Sequence, residues 1–204
     1  MPSGPEIQYI TKLQAARRQL VTALNLFFDD REPVSVHTLA HAAWEITSSL
    51  CEHEGIDTFV ERAADISGEP VKQIRGKATQ FKNFFKHADR DPGATLDEFG
   101  DRWNDPLLIA ATMDLQLLCN GKLPIEVRTF QLWYFAVNPD HVPPALLDNR
   151  YGIADGVKAN FSNLHRRDRE EQKRRGRKRL AQFLADPAIL NDQTTDRSQL
   201  CYWS

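Results

Sequence analysis

The chain has 204 residues, 41% of them hydrophobic and 26% charged, with a net charge of −2 at pH 7. That suffices for one well-cored domain, or one domain plus an appendage, and the overall charge gives no general affinity for nucleic acid or membrane. Cys51, Cys119 and Cys201 lie far apart and form no CxxC, which argues against a disulfide framework or structural zinc.

The opening stretch MPSGPEIQYITK lacks the basic and apolar regions of a signal peptide, and no apolar run approaches the ~18 residues of a membrane helix. The expectation is a cytoplasmic protein with no membrane partner. From Glu6 to Phe28, Ile10, Leu13, Leu20, Leu24, Phe27 and Phe28 recur at helical spacing, which predicts an amphipathic helix. Ser35 is the expected N-cap of a second helix, Val36 to about Glu54. There Leu39, Ala43, Ile46 and Leu50 form one stripe, and His37, His41, Glu45 and Ser48 line the other side. Few of its residues are typical of a solvated surface, so it is expected at the centre.

A shorter helix is expected from Thr58 to Ile66, then a break at Ser67–Pro70, then a helix running to about Ala88. Asp91 to Asp105 reads as a polar connection. Helices follow over Leu107 to Leu118 and from Pro124 onward, where Phe130, Trp133, Tyr134 and Phe135 supply an aromatic face read as core or oligomer interface. Ala145 to Tyr151 reads as one short turn. No segment alternates like a strand. The fold class is therefore all-α, an antiparallel helical bundle of about six helices.

The composition changes near Ile153, which divides the chain into a bundle domain, residues 1–153, and a basic C-terminal helical extension and tail, residues 154–204. Arg166 to Arg179, RRDREEQKRRGRKR, holds nine basic and three acidic residues, a local net of +6. Arg166, Arg167, Lys173, Arg174, Arg175, Arg177, Lys178 and Arg179 are candidate nucleic-acid contacts, and about six phosphate contacts would make such binding strongly salt-dependent. The same run fits a solvated helix with local ion pairs, or a helix docked on an acidic patch of its own domain. The end, Asn191 to Ser204, is polar and expected to fray.

The stretch FKNFFKHADRDP, Phe81 to Pro92, is the main candidate site. On a helix, Phe81, Phe84, Phe85 and Ala88 share one side and Asn83, Lys86, His87 and Arg90 the other, before Asp91-Pro92 stops it. Together with FFDDREPVSVHTLAHAA (Phe27 to Ala43) and FQLWYF (Phe130 to Phe135), it resembles a family of bacterial helical proteins whose chemistry is uncharacterised, over roughly residues 10 to 140. KNFFKH also resembles the signature of HEPN domains, helical bundles that are often dimeric, metal-independent ribonucleases. Asn83 and His87 match that signature in type and spacing, while Lys82 stands where the family has arginine and lacks its planar fork.

That resemblance implies RNA as a partner and a homodimer in which two copies of His87 act as proton donor and acceptor. Asn83 would orient the RNA, Lys82 would take the arginine position, and Lys86 and Arg90 would hold the phosphate. The same polar residues equally form the solvated side of an amphipathic helix, and a non-enzymatic interaction module of a bacterial or phage defence system is the competing reading. His37, His41 and Glu45, at i, i+4 and i+8, could face one metal ion in a helical-bundle hydrolase, or simply hydrogen-bond to neighbouring helices. No cofactor is expected.

Overall fold

The computed structural model describes residues 9–87, 89, 91–141 and 153–198. Among them it is all-α, with ten α-helices and no strand. The helices are α1 (Lys12–Phe28), α2 (Pro33–His53), α3 (Phe59–Ser67), α4 (Val71–Thr79), α5 (Lys82–Lys86), α6 (Asp105–Leu118), α7 (Ile125–Val137), α8 (Ile153–Asn160), α9 (Arg169–Ala185) and α10 (Pro187–Leu190). Among the described residues no helix is long and apolar enough to cross a membrane.

Helix starts follow local chemistry. Thr11 and Gln14 form a capping box on α1, and Thr58 and Glu61 form another on α3, each answering two backbone N–H groups. The expected Ser35 cap is displaced: Pro33 occupies the first turn and the Glu32 carboxylate accepts from the N–H groups of Val34 and Ser35. The single helix expected from residue 70 to 88 is two helices, broken at Gln80 and Phe81. Residues 145–151, read as a short turn, lie outside the described residues.

The centre of the bundle is α2, packed along α1 on one side and α6 on the other. Phe27, Phe28, Phe130, Trp133 and Phe135 are all fully buried, and the rings of the first four meet mostly edge to face. The aromatic set of α7 is thus core.

α9 docks on this aromatic core. Gly176 explains how a strongly basic helix comes so close: a Cβ there would lie 2.4 Å from Phe28 Cε1 and 2.9 Å from Trp133 Cδ1. Trp133 Nε1 donates to Gln172 O at 2.8 Å. The Arg169 guanidinium sits 5.3 Å from the centre of the Phe27 ring and 5.0 Å from that of Trp133, and Lys173 Nζ sits 4.2 Å from Phe27. Arg169 donates to both oxygens of Asp105, at 2.9 and 2.7 Å, and to Asp101. Lys173, 3% exposed, pairs with Asp30 at 2.9 Å and Asp101 at 2.6 Å. Of the readings open for the basic run, this is docking on an acidic patch of the same chain.

The C-terminal segment is tied down as far as it is described, contrary to the fraying expected from its polarity. Leu123 N–H donates to Thr194 O, Asp196 N–H donates to Leu123 O, and Arg17 pairs with Asp196 at 2.7 Å.

Gly176→Ala would normally gain ~0.5–1 kcal/mol of helix propensity. Here the methyl group meets two buried rings, so we expect destabilisation of about 1–3 kcal/mol by urea unfolding. An unchanged or raised midpoint would show that α9 does not dock as described.

Candidate functional site

The stripe on α2 and the motif on α5 form one network. Glu45, one turn beyond His41, accepts from Lys82 Nζ at 2.8 Å and from Lys86 Nζ at 3.3 Å, and lies 3.4 Å from His41 Nδ1. Burial opposes ionisation of Glu45, but the Lys82 bond, His41 and Lys86 outweigh it and hold its carboxyl at about 2. Lys82, at the position of the family's arginine, and Lys86, a candidate phosphate contact, are therefore engaged by a carboxylate of their own chain.

His37 is buried deeper, 1% exposed. Asn104 fixes its tautomer: the amide Nδ2 donates to Pro33 O, which turns Oδ1 toward His37 Nδ1 at 3.0 Å. His37 therefore carries its proton on Nδ1. Around it stand Phe81, Phe85 and Phe99, with ring centres 5.4–5.9 Å away and edge-to-face geometry. Trp103 packs on Phe81 at 5.2 Å. This cluster holds α5 over α2, yet Phe81, Phe84, Phe85 and Phe99 are only half-buried and Trp103 is 40% exposed.

Burial lowers the His37 pKa against the opposing Asn104 bond. It takes His41 down to about 4, with Glu45 opposing and Lys86 and Lys82 adding to the fall. Both histidines are thus neutral near pH 7. They do not form a metal centre with Glu45, because His37 Nδ1 is bound to Asn104 and Glu45 to two ammonium groups. Among the described residues no group of three or more His, Cys, Asp or Glu is arranged to hold a metal ion.

His87 lies off the helix. Its backbone is extended (φ −132°, ψ 127°), although its N–H still closes the last turn onto Asn83 O at 3.0 Å. Its side chain is 61% exposed and its Nδ1 lies 4.0 Å from Asp89 Oδ1. Asn83 is also exposed. Arg90 lies outside the described residues, as does Ala88.

In the basic run, Arg174 and Arg175 pair with Glu171, Arg177 donates to Phe28 O, and Arg179 donates to Asn160 O and lies over Phe183. Arg166, Arg167 and Lys178 are exposed. Asp30, Asp101 and Asp105 answer three of the run's six net positive charges, which leaves three.

Asp114 was missed in the sequence, although a lone carboxylate inside the apolar run Leu107 to Leu118 is a signal. It is fully buried, accepts from Trp44 Nε1 at 3.1 Å and from Phe59 N–H at 2.7 Å, and so ties α3 to α2 and α6. Desolvation pushes its carboxyl up to about 6 against both hydrogen bonds. Cys51 beside it is raised to about 12 by burial, so its thiol is not nucleophilic.

No protein-family model matches this chain, and neither a curated protein nor a solved structure matches it.

The depressed pKa of His41 sets a pH dependence. Unfolded, the imidazole takes a proton near 6.5; folded, it resists until about pH 4. It therefore removes stability as pH falls through that window. His41→Gln should abolish this loss, raising the variant's stability relative to the parent by on the order of 3 kcal/mol between pH 6.5 and 4. Asp114 titrates equally in both proteins and drops out of the comparison. A constant difference across the window would contradict the assignment.

Proposed function

We propose that this chain is a non-enzymatic interaction module whose contact surface is built by α5 and residues 91–104. One observation carries the reading: the described lysines of α5 are answered internally, while the aromatic cluster beside them stays half-covered. Lys82 and Lys86 share Glu45, and Arg169 and Lys173 are bound by aspartates. Half-exposed Phe84, Phe99 and Trp103 are the kind of side chains that anchor protein interfaces.

The partner that the surface fits is a second copy of the chain. Its α5 side keeps one net positive charge, two lysines against Glu45, and its loop side carries exposed Asp91, Asp97 and Glu98. A two-fold axis would set the basic side of each copy against the acidic side of the other. We expect a dimer by light scattering that Trp103→Ala converts to monomer without loss of helical signal. A chain that stays monomeric at high concentration would remove the second copy as partner.

RNA cleavage of the HEPN-like kind is the second reading, favoured by His87 standing open to solvent with the Asp89 carboxylate nearby. An interaction module predicts no cleavage of unstructured RNA beyond that of His87→Ala. Cleavage lost in that variant would establish the enzyme and overturn the module.

A further inference from the structure

Away from this surface, α6, α7, α8 and α9 enclose a recess of about 610 Å3, bordered by Ile189 and Thr194 of the C-terminal segment. Its volume lies within the ~300–1,000 Å3 of small-molecule sites. The wall is mixed: Leu132 and Phe183 are apolar, while Gln116, Gln131 and Asn160 bring carboxamides. Gln116 and Gln131 are 5% and 3% exposed, so these are built-in polar groups rather than surface residues turned inward. No carboxylate lines it among the described residues, and its one cation, Arg128, donates to Thr194 and Thr195 at 3.0 and 3.1 Å and has its charge answered by Asp192 at 3.9 Å.

The amides are oriented. Gln131 Nε2 donates to Thr112 O at 3.2 Å and to Met113 Sδ at 3.5 Å, and Asn160 Nδ2 donates to Gly156 O at 2.8 Å. Both N–H groups of Gln131 are engaged, so its carbonyl oxygen is what it can offer a ligand, while Asn160 offers its carbonyl oxygen and a second N–H. Such a site selects N–H donors and, lacking an unanswered charge, has no preference for an ion. Gly156 keeps α8 close to α7: a Cβ there would lie 2.7 Å from Leu132 Cδ2.

We infer that this recess binds an uncharged nucleoside, its base lying against Leu132 and Phe183 and its amino N–H groups donating to Gln131 and Asn160. The site is independent of the α5 surface and of the reading given to it.

Adenosine and guanosine titrated into the full chain by calorimetry should show saturable one-to-one binding with a Kd below about 1 mM. N6,N6-dimethyladenosine, which has the ring but no amino N–H, should bind at least about tenfold more weakly than adenosine. Leu132→Trp, checked for folding by circular dichroism, should fill the recess and lose binding to the same extent. Absence of saturable binding by either nucleoside overturns the inference, as does equal affinity for the dimethyl analogue. Binding unchanged in a folded Leu132→Trp variant overturns it too, by placing the nucleoside elsewhere.

Discussion

The pairing of Arg169 and Lys173 with Asp30, Asp101 and Asp105 is the interaction on which the rest of this structure depends. A helix with mean composition as polar as α9 has little apolar surface of its own to bury. It is held against Phe27, Phe28 and Trp133 because two cations on one face reach across the rings to three carboxylates. Gly176 removes the side chain that would keep the helix away. The same pairs fix the start of α6 and the turn before it, since Asp101 lies in the turn Asp101–Asn104 and Asp105 opens the helix. Removing either partner of such a pair strands a desolvated charge, which costs far more than the net worth of the pair.

That turn also connects the clasp to the candidate site. Asn104 follows Asp101 by three residues and binds His37, while Phe99 and Trp103 pack with Phe81 and Phe85 over α2. The segment 99–105 is therefore shared by the α9 pairs and the α5 surface. Asp91, Asp97 and Glu98 lie exposed beside lysines that already share a carboxylate, and the proposal of a protein partner rests on this.

The architecture was legible where local chemistry decides. Helical spacing located α1, α2, α6 and α7, and the sparse solvated character of α2 marked it as central. The aromatic run Phe130 to Phe135 read as core or oligomer interface, and burial makes it core. The break at Gln80 and Phe81 was not legible, because helix propensity continues through it; packing of Phe81 and Phe85 onto His37 sets the new axis. The residues of the candidate site were visible as types, but not their partners. Nothing in the spacing of His37, His41 and Glu45 distinguishes a shared ligand from separate neighbours. Asn104, Lys82 and Lys86 settle that, and they come from 37 to 67 residues away in sequence. Asp101 and Asp105 looked like polar connection for the same reason: their meaning depends on a helix 64 to 72 residues later.

The basic run serves the fold through charge pairing in a dry interface. A double-mutant cycle on Arg169 and Asp105, using Arg169→Met and Asp105→Leu with stability measured in urea, tests it most directly. The account predicts that each single variant is destabilised by about 3–5 kcal/mol, that the double variant is far less affected than their sum, and that the coupling exceeds ~2 kcal/mol. Small, additive effects of the order seen for exposed ion pairs, below ~1 kcal/mol, would mean that α9 is a solvated helix and that its cations are available to a phosphate backbone after all.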